Sequence, residues 1–212
     1  MSKCLLIVVM AALVVTGCDL FGDDDDKKGG STASLGQTLV LPGGTIVDWE
    51  EDFGDAGQLF VLDDEYDLST VIAGPVSVSA SGSFGGIEVG PPTEYLLPAG
   101  WLEVFGLTVS DSNANYWILS SLTAYDLDDN YIGDVYRENE AWTVEIGWWF
   151  SDSDFRVHGV VTIDEETEDV DLNLRAGWNR VVSTLVGPDE WRIRTGSEPS
   201  GVRWEYYEDW WD

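Results

Sequence analysis

The residues able to do chemistry in this chain are dominated by carboxylates: 40 Asp and Glu stand against 10 Lys and Arg, with 1 His and 2 Cys. One group has recognisable spacing. Asp126, Asp128, Asn130 and Asp134 form D-x-D-x-N with a further Asp beyond it. Calcium takes about six to eight oxygens, and acids two apart in a tight loop can supply several of them. An EF-hand is excluded, because Tyr131 stands where that loop requires Gly and Arg137 where it requires Glu. A plain hairpin turn between Leu122–Tyr125 and Tyr131–Tyr136 is the favoured reading, with a weak calcium site on Asp126, Asp128, Asn130 and Asp134 as its alternative. His158 alone cannot build a multi-histidine zinc site, and no sequence feature marks a nucleophile for it to activate. Carboxylate pairs could act as a glycosidase acid and base, but a sequence this acidic produces such pairs by chance. No catalytic residues are expected, and no cofactor beyond that weak calcium.

The second resource is aromatic, with 11 Trp in 212 residues. Trp142, Trp148 and Trp178 fall in strand phases that point to a core. The C-terminal string Trp204-Glu205-Tyr206-Tyr207-Glu208-Asp209-Trp210-Trp211-Asp212 alternates differently. Trp204 and Tyr206 are expected to pack inward. Trp149, Trp210 and Trp211 are the candidates for an exposed platform that stacks on a sugar ring or a partner protein, since indole combines a large apolar face with a polar tip.

The N-terminus gives an address. Lys3 precedes an apolar run from Leu5 to Val15, too short for a membrane-spanning helix, which needs roughly 20 residues. It is followed by Val15-Thr16-Gly17-Cys18, which resembles the lipobox of bacterial lipoproteins. The resemblance implies cleavage of residues 1–17 as a signal peptide and lipidation of Cys18. It makes the membrane a partner through that lipid, and leaves open which membrane and which face. Residues 18–34, with Asp23-Asp24-Asp25-Asp26 and then Gly29-Gly30-Ser31, read as a solvated acidic tether. Cleavage would leave a single Cys, already consumed by lipid, so no disulfide is expected.

All three Lys lie at or before Lys28, as do five of the acids, leaving 7 Arg against 35 acids and a net charge of −28 beyond that point. Binding to a nucleic-acid backbone is excluded as a function, because it depends on clustered Lys and Arg.

The elements that must position these residues read as strands. Val76, Val78 and Phe84 alternate with Ser77, Ser79 and Ser83; Val144, Ile146, Trp148 and Phe150 alternate with Glu145, Gly147 and Trp149. Phe155, Val157 and Val161 oppose Arg156, His158 and Thr162, and Val170, Leu172 and Leu174 oppose Asp171 and Asn173. Period two is the mark of a strand with one buried face. Turn signals such as Asp128-Asp129-Asn130 and Gly187-Pro188-Asp189 separate the runs. The expectation is an all-β fold, an antiparallel β-sandwich of roughly a dozen strands, as one unit or as two small sandwich subdomains. A softer boundary near 91–115 divides the folded part into residues 35–110 and residues 111–212, the latter ending in the aromatic acidic C-terminus. No internal repeat relates them.

The first part, with Ala80-Ser81-Gly82-Ser83-Phe84 at a hairpin, resembles transthyretin-like or carboxypeptidase-regulatory β-sandwich modules. Over most of the chain, the succession Gly44-Thr45-Ile46-Val47-Asp48-Trp49, Trp148-Trp149-Phe150-Ser151-Asp152 and Leu174-Arg175-Ala176-Gly177-Trp178-Asn179 resembles uncharacterised bacterial envelope lipoproteins. That resemblance implies β architecture and an envelope location, and brings no activity with it. The sequence therefore reads as a lipid-anchored envelope protein of structural or binding role. A carbohydrate-binding module using exposed Trp is the alternative, and a glycosidase-like enzyme the third reading.

Overall fold

The computed structural model describes residues 38–64, 67–163 and 165–208. Seventeen strands are present among them: β1 Leu39–Leu41, β2 Gly44–Val47, β3 Gly57–Leu62, β4 Val71–Val78, β5 Ser83–Phe84, β6 Ile87–Val89, β7 Leu97–Pro98, β8 Thr108–Val109 and β9 Asn115–Leu119 come first. They are followed by β10 Ser121–Tyr125, β11 Tyr131–Asn139, β12 Val144–Ser151, β13 Phe155–Ile163, β14 Glu166–Leu174, β15 Gly177–Gly187, β16 Glu190–Thr195 and β17 Val202–Glu208. Among the described residues helix is confined to one turn, Trp49–Asp52, and two 3-10 stretches, Leu68–Thr70 and Ala99–Phe105. The all-β expectation holds. The dozen strands expected fall short of seventeen, because pieces of two to three residues such as β5, β7 and β8 are too short to show a period.

Seven strands close into a barrel. Their order is β10-β3-β4-β5-β2-β17-β11, and β11 pairs back to β10 from Ser121↔Tyr136 to Tyr125↔Tyr131. These pairings describe a closed ring with further strands, and do not by themselves describe two facing sheets. Closure removes the free edges that an open sheet of this size would present. Strands from both sides of residue 110 contribute to the ring, so the two stretches share a core.

The barrel interior is filled by Ile46, Leu59, Val61, Val78, Phe84, Leu122, Val135, Trp204 and Tyr206. Trp49, carried in by the helical turn after β2, joins them with no exposed surface. Its ring meets Tyr206 and Phe53 edge to face at 5.1 and 5.2 Å, and its Nε1 donates to the Asp55 carbonyl at 2.9 Å. Gly82 makes room for it: φ there is +75°, and a Cβ would lie 2.7 Å from the Ile46 carbonyl oxygen and 2.9 Å from Trp49 Cβ.

Beyond the ring, β12 acts as a hinge between two cores. Its first residues pair with β11 (Arg137↔Ile146, Glu138↔Glu145), and its last four pair on the same side with β9. The sheet continues through β15, β16, β14 and β13 to the two-residue β8. It encloses a second core of Trp149, Val157, Val161, Val170, Leu172, Leu174, Val181 and Ile193, to which the Ala99–Phe105 stretch adds Ala99 and Leu102. The strand phases read for β13 and β14 hold residue by residue. Val157, Leu172 and Leu174 are fully buried, while Arg156, His158 and Thr162 are exposed.

Candidate functional site

Asp126 sits in the β10–β11 turn with both carboxylate oxygens engaged. Oδ1 accepts from the Asp128 and Asn130 amides at 2.8 Å each, and Oδ2 accepts from Asn130 Nδ2 at 2.7 Å. Asp129 supplies the positive φ (+61°) that tightens the turn. These bonds hold the Asp126 carboxyl below the usual carboxylate range, the Asn130 side chain contributing most. Asp134 points to a different partner, accepting from the Tyr131 hydroxyl at 3.0 Å. The structure thus brings Asp126, Asp128 and Asn130 together as a self-bonded turn and leaves Asp134 outside it. Among the described residues no group of three or more His, Cys, Asp and Glu is placed to hold a metal ion.

Trp149 is not a surface platform. It is 3% exposed, stacked on Tyr116 at 5.3 Å and 18° between planes, inside the second core. Its polar phase in the sequence misleads because β12 is covered on both faces, with Trp148 and Phe150 buried on the other side. Cys18, Trp210 and Trp211 lie outside the described residues. His158 is exposed on β13, opposite Asp171, and Asp171 is bonded to Arg156 at 3.0 Å.

Trp142, expected in the core, is instead exposed, at 56%. The β11–β12 connection is fixed by Asn139: its Oδ1 accepts from the Thr143 and Val144 amides at 2.9 and 3.0 Å, and its carbonyl accepts from the Trp142 amide at 2.9 Å. Trp142 is left at φ +55° in that turn, which breaks the alternation it would have continued. The Leu185 amide donates to the Thr143 carbonyl at 2.8 Å, so the end of β15, with Val186 47% exposed, lies beside this tip.

Sequence reasoning also missed a set of covered carboxylates. Glu138, Glu145 and Glu205 are 6, 7 and 3% exposed, although their strand phase reads as solvent-facing. Glu138 lies opposite Glu145 across β11 and β12, and opposite Arg203 across β11 and β17. The Tyr207 hydroxyl donates to Glu138, and Arg203 Nε donates to Glu205. The Glu205 hydrogen bond holds the Arg203 guanidinium even more firmly in its charged form. Burying a carboxylate without such partners would cost several kcal/mol, by order of magnitude. The only signal available in the sequence was the alternation of Arg203, Glu205 and Tyr207, which shows a common face and not that this face is covered.

Asp63, in the exposed bend after β3, is a further acid with a tryptophan partner. Burial pushes its carboxyl above the usual range, and the Trp117 Nε1 donor, 2.7 Å away, partly offsets this. Chemically, these groups form internal tyrosine, tryptophan and arginine contacts that order the strands. Comparison of the chain with family models, with curated proteins and with solved structures gave no match.

Proposed function

We propose that this chain is a lipid-anchored protein of the bacterial cell envelope, with the membrane as its partner through Cys18 and a structural or binding role for its all-β body. The observation that carries the reading is Val15-Thr16-Gly17-Cys18 at the end of an apolar run, followed by an acidic, Gly and Ser tether. Multiple acyl chains on one Cys supply the two-signal anchoring that a single chain does not. The test is fractionation of cells expressing the full chain or Cys18→Ala. The native chain is expected in the membrane pellet and detergent-extractable, and the variant in the soluble or uncleaved fraction. Equal membrane retention of a processed Cys18→Ala chain would refute the anchor.

A second reading, carbohydrate binding through exposed Trp, is favoured by one feature. Trp142 presents 56% of its surface at a hairpin tip whose backbone is held by Asn139, a preorganised position for stacking on a sugar ring. Glycan-array binding that disappears with Trp142→Ala supports it, and binding unchanged by that substitution removes it.

A further inference from the structure

The edge of the second sheet is open where β13 runs past its last neighbour. On one side β13 pairs with β14 along its whole length, in uninterrupted register from Phe155↔Leu174 to Ile163↔Glu166. On the other side β8 covers only Val157 and His158. The Ser110 amide donates to the Arg156 carbonyl at 2.9 Å, and the Arg156 amide donates to Ser110 Oγ at 2.8 Å. The main-chain groups of Arg156 therefore face the β8 side. Strand alternation then places those of His158, Val160 and Thr162 on that side too. Cover ends at Gly159, where Gly106 and Leu107 pack so closely that a Cβ would meet them at 3.2 to 3.4 Å. From Val160 to Ile163 no strand among the described residues takes up this edge.

Natural edges are normally blunted by Lys, Pro, a bulge or an inward charge. This segment, Val160-Val161-Thr162-Ile163, has none of these, and it alternates regularly between an exposed and a covered face. Apolar surface is exposed here: Val160, on the edge itself, is 61% exposed, and Val104, two residues before the Gly106 that packs on Gly159, is 82% exposed. Open main-chain donors and acceptors beside exposed apolar side chains are what an added strand requires.

Charge selects the occupant. Arg156, Arg192 and Arg194 on the neighbouring outer face are engaged by Asp171 and Asp169. Exposed acids stand on both flanking segments: Glu165 in the turn directly after Ile163, and Glu103 three residues before the Gly106 that packs on Gly159. A second copy would bring another body of net charge −28 against this one. We propose that the outer edge of β13 from Val160 to Ile163 is a strand-addition site for an extended, basic segment of a partner protein. This goes beyond the envelope reading and does not depend on the lipid.

The test is residue-resolved amide hydrogen exchange on the full chain. The probe is a capped peptide, Lys-Thr-Val-Thr-Val-Thr-Val-Lys, compared with the same peptide N-methylated at alternate residues and with a Glu-flanked version. Without peptide, Val160 and Thr162 amides are expected to exchange fast while Val161 and Ile163 amides, bonded to β14, are slow. The Lys-flanked peptide should slow Val160 and Thr162 by about tenfold or more, with the N-methylated and Glu-flanked peptides having little effect. Thr162→Pro removes an outward amide, together with the hydroxyl that meets Thr167 Oγ1 at 3.3 Å, and should abolish the protection; Val160→Glu tests the same edge without touching the backbone or that contact. The proposal is overturned if Val160 and Thr162 are already protected in the dilute free chain, or if their protection rises with protein concentration alone. Equal protection by the N-methylated peptide, or none at millimolar peptide, overturns it as well.

Discussion

At the residue scale, Asp126 and Trp204 show how differently a carboxylate and an indole hold this fold. Asp126 gathers three donors in one exposed turn, so its carboxyl ionises below the usual carboxylate range. A depressed folded value means that the contribution is present above the unfolded range and disappears as pH falls through the folded value. Asp126→Ala should therefore lower Tm at neutral pH, and the gap to the native chain should shrink as pH drops below 3.8 in a thermal melt series. A gap that widens on acidification would contradict this. Trp204 is 2% exposed, stacks with Trp148, meets Phe84 edge to face and lies under the Arg137 guanidinium at 5.1 Å. Trp204→Ala is expected to cost about 3–5 kcal/mol in urea unfolding, a large share of a typical domain's stability. Its inward position was legible in the alternation of Val202, Trp204 and Tyr206. Trp142 and Trp149 were not, for two separate reasons. One backbone angle in a turn lifts Trp142 out of phase, and Trp149 lies on a strand packed on both faces. Period-two reasoning presumes one wet face, and β12 has none.

At the element scale, β17 has the largest consequence. It lies between β11, paired from Gly133↔Glu208 to Asn139↔Val202, and β2, which it meets in parallel at Ile46 and Val47. Ending the chain at Gly201 would open the barrel and remove Trp204 and Tyr206 from its interior. Such a truncation should lose the cooperative thermal transition, measured by near-UV circular dichroism; a retained transition would show that the ring is not a folding unit. Gly82→Ala is a subtler test of the same barrel, because the added Cβ presses on the Ile46 carbonyl and on Trp49. It should destabilise without changing the fold, whereas Gly85→Ala, with nothing within 4 Å, should have little effect. The strand character of these elements was readable from alternation, and the hairpins from their Asp, Asn and Gly turns. Ring closure was not. It depends on pairings such as Thr123↔Phe60 and Trp204↔Ile46, between residues far apart in sequence and without a local signature.

At the scale of the whole molecule, charge dominates. Beyond Lys28 the chain carries −28 with no Lys at all, so self-repulsion opposes compaction at low ionic strength. Screening shortens the range of that repulsion from about 30 Å at 0.01 M to about 3 Å at 1 M salt. Unfolding midpoints should accordingly rise between these conditions, and equal midpoints would remove charge repulsion as a limit on stability.

The most direct test of the envelope account is the intact mass of the N-terminal peptide of the protein purified from membranes. The expected result is a peptide beginning at Cys18 with its thiol carrying a diacylglyceryl group. A peptide beginning at Met1, or one beginning at another residue with an unmodified Cys18, would contradict it.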